Sequence, residues 1–228
     1  MSMAKRETYL VSVCQALKAA WPNNRAVNIV CHGHSVPAGY FATPVVDTLN
    51  AYPHQLLMAL KERYPLAVIN VIVTAIGGEN SERGAARFAN EALNHRPDVL
   101  TLDYGLNDRG LGLARAEAAW RAMIEAALER QAKVLLLTPT ADDSYLRGAA
   151  APEWVALEEH AASIRRLAEA YGVGLADSLA VFKRYAEREG DLRNLLSWIN
   201  HPNAAVHALV AQELMRWFYC PEDGRAAF

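Results

Sequence analysis

The sequence predicts an α/β domain, a three-layer α/β/α sandwich built on a five-stranded parallel sheet. Three observations carry that expectation. Short apolar runs rich in Val, Ile and Leu recur along the 228 residues, each too short for a stable helix. Segments with helical apolar spacing separate them. The runs are nearly continuous in apolar residues, the pattern of strands covered on both faces by helices.

The first element is a helix within "MAKRETYLVSVCQALKAAW", where Leu10, Cys14, Leu17 and Trp21 fall on one face. Glu7 in its basic part, with Gln15 and Lys18 in its apolar part, argues against a signal peptide. Strands are then expected at Val27 to Cys31, Ala67 to Thr74, Val99 to Asp103, Lys133 to Thr138 and Val173 to Asp177. Helices are expected at Pro53 to Tyr64, Ser81 to His95, Leu113 to Gln131, Pro152 to Tyr171 and Ala204 to Phe218. Neither repeat nor linker divides the chain, so residues 1–228 read as one domain, with 1–25 as a packed N-terminal helical segment and 219–228 as a tail.

Composition narrows the function. A formal net charge of -2 from interspersed acids and bases leaves no footprint for nucleic acid. No apolar run reaches the roughly 18 residues of a membrane span. Cys14, Cys31 and Cys220 are widely spaced and form no C-x-x-C pair, which suits apolar filling in a reducing compartment better than disulfides or thiolate zinc. The expectation is a cytoplasmic protein acting on a neutral or small substrate, without membrane insertion. Oligomeric state is not legible.

In open parallel sheets ligands bind beyond the carboxyl ends of the strands, so the residues there matter most. The first predicted strand ends in "HGHS", His32 to Ser35; the second leads to "AIGGENS", with Gly77, Gly78 and Asn80. The third ends in "DYGLND", Asp103 to Asp108, and the fourth in "TPTADD", Thr138 to Asp143. "SWINHPN", Ser197 to Asn203, precedes the last helix. The two longest irregular stretches, Val36 to Tyr52 and Pro139 to Ala151, follow predicted strands and should border the same edge. A serine, glycine amides, an asparagine amide and a histidine are the parts of an acyl-transfer site.

The ordered motifs "GHS", "GG", "GLND" and "HPN" resemble the SGNH hydrolases, or GDSL-type esterases and lipases, over Val27 to Phe218. The resemblance implies a flavodoxin-like sheet and a carboxylic ester hydrolase needing no cofactor and no metal. It makes Ser35 the nucleophile and His201 the base, with the Ser35 amide, the Gly78 amide and the Asn107 side chain as oxyanion hole. Its substrate would be a small-molecule or carbohydrate ester, with acyl transfer to another hydroxyl as a variant outcome; the large loops without an apolar lid-like helix favour short-chain acyl or acetyl groups.

Two departures from the family pattern stand out. His34 occupies the place of an aspartate between glycine and serine, removing a favourable charge of about 0.3 to 1 kcal/mol at a helix start. Trp198 occupies the place of the aspartate three residues before the base. An acid there fixes the histidine tautomer, and its conversion to an amide in a serine protease costs roughly 10⁴-fold. The replacement is expected to be the Trp198 main-chain carbonyl, with Asp177, Asp191 or a plain Ser-His dyad as alternatives.

Other readings remain beside this one. His32 and His34 form an H-x-H pair that Asp142, Asp143 and His201 would extend to a metal-dependent hydrolase, although Gly78 and Asn107 then have no role. A catalytically weak ligand-binding relative is a third class. Ser35 alone would serve as a helix cap, and Asn107 and Asp108 as a turn pair. Tyr40, Phe41, Tyr104 and Leu106 suit either a substrate pocket or cover for the sheet edge. His207, with Val206, Leu209, Val210, Leu214 and Phe218, suits the packing face of the last helix.

Overall fold

The structure, a computed structural model, describes residues 2–189 and 192–219. Five parallel strands run β2-β1-β3-β4-β5 across one sheet: β1 Ala26–Gly33, β2 Val68–Val73, β3 Val99–Asp103, β4 Lys133–Leu137 and β5 Gly174–Ala176. Every strand expected from the apolar runs is present. The strand order reverses between β1 and β3, and such a switch point opens a crevice at the carboxyl ends. Gly33 and Asp103 stand opposite each other at that crevice.

Two cores flank the sheet. Val27, Ile29 and Cys31 face a cluster with α2 (Val11–Lys18), α4 (Tyr52–Arg63), α8 (Ser178–Glu189) and α9 (Ala204–Met215). Val30, Leu100, Leu102 and Val134 face a second cluster with α5 (Ser81–Glu91), α6 (Leu113–Glu129) and the later part of α7 (Pro152–Tyr171). The alternation of neighbouring strand residues between two dry faces is what the continuous apolar runs encode. β2 lies at the edge, so Val68 and Val73 stay exposed.

Three boundaries differ from the expectation. The first helix is broken into α1 (Arg6–Tyr9) and α2, and it ends at Lys18. Leu10, Cys14 and Leu17 are buried as expected, but Trp21 is 84% exposed. Pro22 follows it and disfavours helical backbone at Trp21, so the expected fourth position of the stripe falls outside the helix. The fifth helix stops at Glu91 and tightens into a 3-10 turn over Leu93–His95, and the last stops at Met215. Helix α8 went unforeseen, although Leu179, Phe182 and Ala186 mark a helical face and are all buried.

Asp177 starts α8. Its carboxylate accepts from the Ala180 amide at 3.1 Å and from Thr138 at 2.9 Å, and it pairs with Arg165 at 2.7 Å, which holds its pKa below the ordinary value against the opposing effect of burial. No helix among the described residues is long and apolar enough to cross a membrane.

Candidate active site

Chain geometry forces the "GHS" turn. A Cβ on Gly33 would meet the Asp103 carbonyl oxygen at 2.5 Å and the Pro37 ring at 2.7 Å, so β1 and β3 approach closely only because that residue is glycine. The chain then turns into the four-residue helix α3 (Ser35–Ala38), closed by Gly39 at φ +91. Ser35 is the first helical residue, and an N–H in a first turn has no partner within its own helix. The His34 ring takes the capping place: its Nδ1 accepts from the Val36 amide at 3.4 Å. An imidazole thus does what the absent aspartate would do at a helix start.

Opposite Ser35, the "SWINHPN" loop folds back on itself. The Ser197 amide donates to the His201 carbonyl at 3.0 Å, Leu196 bridges Pro202, and Asn203 caps α9 by accepting from the Val206 amide at 3.1 Å. The tip residues Trp198 and Ile199 project outward, half exposed. His201, beneath them, is 5% exposed, and its Nε2 lies 3.0 Å from Ser35 Oγ.

His201 Nδ1 lies 2.7 Å from a main-chain carbonyl, but that carbonyl belongs to Phe41 and not to Trp198. Trp198 contributes an amide directed at the His201 carbonyl at 3.4 Å. The Phe41 carbonyl therefore stands where that of Trp198 was expected. The reason is topological: the loop after α3 returns to the sheet edge, Phe41 being held by its amide on Val45 at 3.0 Å and its ring against His207 at 4.9 Å. Asp177 is committed to Arg165 and Thr138, and Asp191 lies outside the described residues.

A carbonyl only accepts, so the proton of a neutral His201 sits on Nδ1 and the Nε2 lone pair faces the Ser35 hydroxyl. Burial pushes the His201 pKa below its ordinary value; the Phe41 carbonyl opposes that effect, and nearby His34 adds to it. The ring is therefore neutral at pH 7 in the tautomer that can accept a proton from Ser35.

The other two motifs meet each other. Gly78 has φ +74, and a Cβ there would find open space, so its glycine serves backbone conformation and not clearance. The following carbonyl, of Glu79, accepts from Asn107 Nδ2 at 2.9 Å. An amide nitrogen carries two N–H groups, so this bond fixes the Asn107 side chain and leaves it a second donor. Asp108 accepts from the Ser81 amide at 2.8 Å and from Trp120 Nε1 at 2.7 Å, tying the "GLND" turn to α5 and α6. Burial raises its pKa while those two donors oppose the rise.

The H-x-H pair does not converge. His32 Nδ1 is 2.8 Å from Thr74 Oγ1 and Nε2 is 3.2 Å from the Gly84 carbonyl, with Phe88 and Tyr104 packed on the ring. His34 looks instead to Ser35 and Asp103. Asp142 pairs with Arg109 and accepts from Ser144. Among the described residues no group of three or more His, Cys, Asp or Glu is placed to hold a metal ion.

Tyr104 is fully buried with its hydroxyl on Glu79 at 3.1 Å, and Leu106 is buried, so both support the sheet edge. Tyr40 stays partly exposed, its ring 6.0 Å from that of His201. A groove of about 820 Å³ between α8 and α9, lined by Arg184, Tyr185, Leu209 and Met215 among others, includes none of these residues.

Residues 31–209 match the model of the GDSL-like Lipase/Acylhydrolase family. The chain belongs to this family. Solved structures share the family fold at low identity. Axe2, an acetylxylan esterase from Geobacillus stearothermophilus, is 20% identical with a TM-score of 0.71, over 84% of this chain and 94% of that one. A catalytic mutant of Axe2 with a histidine replaced gives a TM-score of 0.75 at 18% identity, over 88% and 96% of the two chains. A putative GDSL-like lipase from Parabacteroides merdae gives 0.70 at 19% identity, over 84% and 95%. No curated protein matches the chain by sequence. Family and fold together make the protein a carboxylic ester hydrolase of the GDSL-like type.

Two buried histidines of this family member set an acid limit on its stability. Burial, helped by Arg87, pushes His32 down to about 4, and burial, helped by His201, pushes His207 down to about 3. Unfolded, both return to about 6.5. Between those values the unfolded chain binds more protons, so stability is lost as pH falls from about 6.5 toward 4, each group contributing on the order of a few kcal/mol at most. The thermal midpoint should drop from pH 7 to pH 4.5, and His207→Gln should shrink that drop.

Proposed function

We propose that the protein is a serine-dependent hydrolase of short-chain acyl or acetyl esters, working through an acyl-enzyme. The observation that carries this reading is the Ser35 Oγ to His201 Nε2 contact of 3.0 Å, with the far ring nitrogen held at 2.7 Å by the Phe41 carbonyl. His201 takes the hydroxyl proton as Ser35 attacks the ester carbonyl. The tetrahedral oxyanion is met by the Ser35 and Gly78 amides and by the second N–H of Asn107. Neutral amide donors of this kind, fixed before reaction, supply the largest single stabilisation in acyl transfer. His201 then gives the proton to the alcohol, and water repeats the sequence.

A carbonyl holds the tautomer as an aspartate would but lacks the charge that stabilises the imidazolium as it forms. In the Axe2 structures, variants replacing a serine, an aspartate or a histidine are described as catalytic mutants. The present chain has the first and third roles filled by Ser35 and His201 and a neutral main-chain group in place of the second.

Ser35 and His201 are each only 5% exposed, and the Tyr40 ring closes against Gly77, which favours a small acyl group in a narrow approach. The likeness to Axe2, an acetylxylan esterase, supports an acetylated carbohydrate as substrate. Hydrolysis of p-nitrophenyl esters of increasing acyl length tests this. We expect kcat/KM to be highest for acetate, to fall steeply beyond butyrate and to be indifferent to a chelator. A maximum at long acyl chains would overturn the short-acyl reading, and loss of activity with chelator alone would overturn the serine mechanism.

A further inference from the structure

Ser35 Oγ faces two imidazoles. Besides His201 Nε2 at 3.0 Å, His34 Nδ1 lies 3.3 Å away, and on the far side of the same ring Nε2 lies 3.3 Å from Asp103 Oδ1. Both members of this second pair are nearly fully buried, His34 at 1% and Asp103 at 3%. Tyr52 and Cys31 are the titratable neighbours of Asp103 on the core side, each pushed up by burial and by that carboxyl. Neither supplies positive charge. A carboxylate removed from water needs a cation or several donors, and among the described residues the group at ion-pair distance that can become a cation is His34.

The alignment is informative. His34 Nε2 and Asp103 are at ion-pair distance but not lined up as a hydrogen bond, so the contact gains most when the ring carries a positive charge. The ring would acquire that charge by taking the Ser35 proton. Its competing contact at Nδ1, the Val36 amide at 3.4 Å, is long and readily given up.

We propose that His34, backed by Asp103, is a second proton acceptor on the Ser35 hydroxyl. The inference rests on the serine-hydrolase reading above and adds the carboxylate-backed imidazole that His201 lacks. In the step assigned to His34, the Oγ–H bond breaks and its proton goes to His34 Nδ1. The freed electron pair forms the bond to the ester carbonyl carbon, and the carbonyl π pair moves to the oxyanion. Collapse restores the carbonyl and expels the leaving group with its bonding pair. The His34 imidazolium, facing Asp103, afterwards loses its proton to water. A leaving group of low basicity, such as p-nitrophenolate, departs without a proton, whereas an alkoxide needs one from His201 Nε2, which holds a proton only when His201 itself has taken it from Ser35.

That difference provides the test. Acylation is followed as the pre-steady-state release of p-nitrophenolate from p-nitrophenyl acetate, with intact mass reporting the acetyl-enzyme. The enzymes compared are His201→Ala, His34→Gln/His201→Ala, Asp103→Asn/His201→Ala and Ser35→Ala/His201→Ala. His201→Ala should still acetylate with p-nitrophenyl acetate, at least about 100-fold faster than the variant that also lacks His34, the usual scale of one general base. With an alkyl acetate it should be far more impaired, a split that a merely structural role for His34 would not produce.

Equal acylation rates in His201→Ala and His34→Gln/His201→Ala would overturn the proposal. Gln keeps an acceptor for the Val36 amide, and circular dichroism checks the fold. If that variant does not fold, Asp103→Asn/His201→Ala decides: a loss of about 10-fold or more in acylation supports the pair, and an unchanged rate overturns it. Acetylation persisting in Ser35→Ala/His201→Ala would instead sink the serine reading itself.

Discussion

Ser35→Ala is expected to lower kcat for acetyl-ester hydrolysis by roughly 10⁴-fold or more, the scale on which serine hydrolases lose turnover when the nucleophile goes. What remains would come from the oxyanion donors and binding alone. Those donors do not depend on the hydroxyl: the Ser35 amide is main chain, Gly78 is set by its backbone, and Asn107 is fixed by the Glu79 carbonyl at 2.9 Å. The fold should survive, because the cap on α3 is the His34 ring and not the Ser35 side chain. Loss of the hydroxyl leaves the two ring nitrogens facing it without that partner, a cost of about 1 to 3 kcal/mol. Steady-state kinetics beside a thermal melt checks both halves, and an unchanged kcat refutes the nucleophile assignment.

The second large effect concerns the base. His201→Ala should reduce hydrolysis of an alkyl acetate by about 10⁴-fold, since the group that returns a proton to the departing alkoxide is lost along with the nearer of the two imidazoles on Ser35. In the intact enzyme the same residue sets the acid limb of the pH profile. Only neutral His201 accepts a proton, and burial holds its pKa below the ordinary histidine value. kcat/KM should therefore be flat through neutrality and fall as pH drops through a midpoint below about 6.5. The sign agrees with the stability argument: a lowered histidine pKa keeps the working neutral form until well into acid. A midpoint above the ordinary value would mean that a carboxylate, not the Phe41 carbonyl, faces His201 Nδ1.

Much of this was readable beforehand because it rests on side chains with strong physical signatures. Four of the five strands are recognisable because they are buried on two faces; β2 at the edge is only partly buried yet keeps enough Val and Ile to be seen. Ser35, Gly78 and Asn107 could be placed on one edge because they follow β1, β2 and β3 of a parallel sheet, whereas their roles, and that of His201, came from the resemblance of the motifs to a family. The Phe41 carbonyl was not, because a main-chain acceptor carries no residue-type signature and its address depends on how the loop after α3 returns. The capping role of His34 and its approach to Asp103 were hidden for a related reason: His34 and Asp103 sit on different strand ends, and only the pairing of Gly33 with Asp103 brings them together. Asp108 looked like a turn residue, and its true partners, Ser81 and Trp120, lie 27 and 12 positions away. Trp21 was misplaced because its apolar spacing outweighed the proline that follows it.

The proposed chemistry stands on Ser35 as the attacking group, activated by imidazole without a metal. Covalent titration with a serine-reactive p-nitrophenyl phosphonate measures it most directly, with the labelled peptide identified by mass and residual esterase activity followed in parallel. We expect one adduct per chain, on Ser35, with activity falling in proportion to labelling and a chelator making no difference. Full activity in fully labelled protein, or equal labelling of the Ser35→Ala variant, would contradict it.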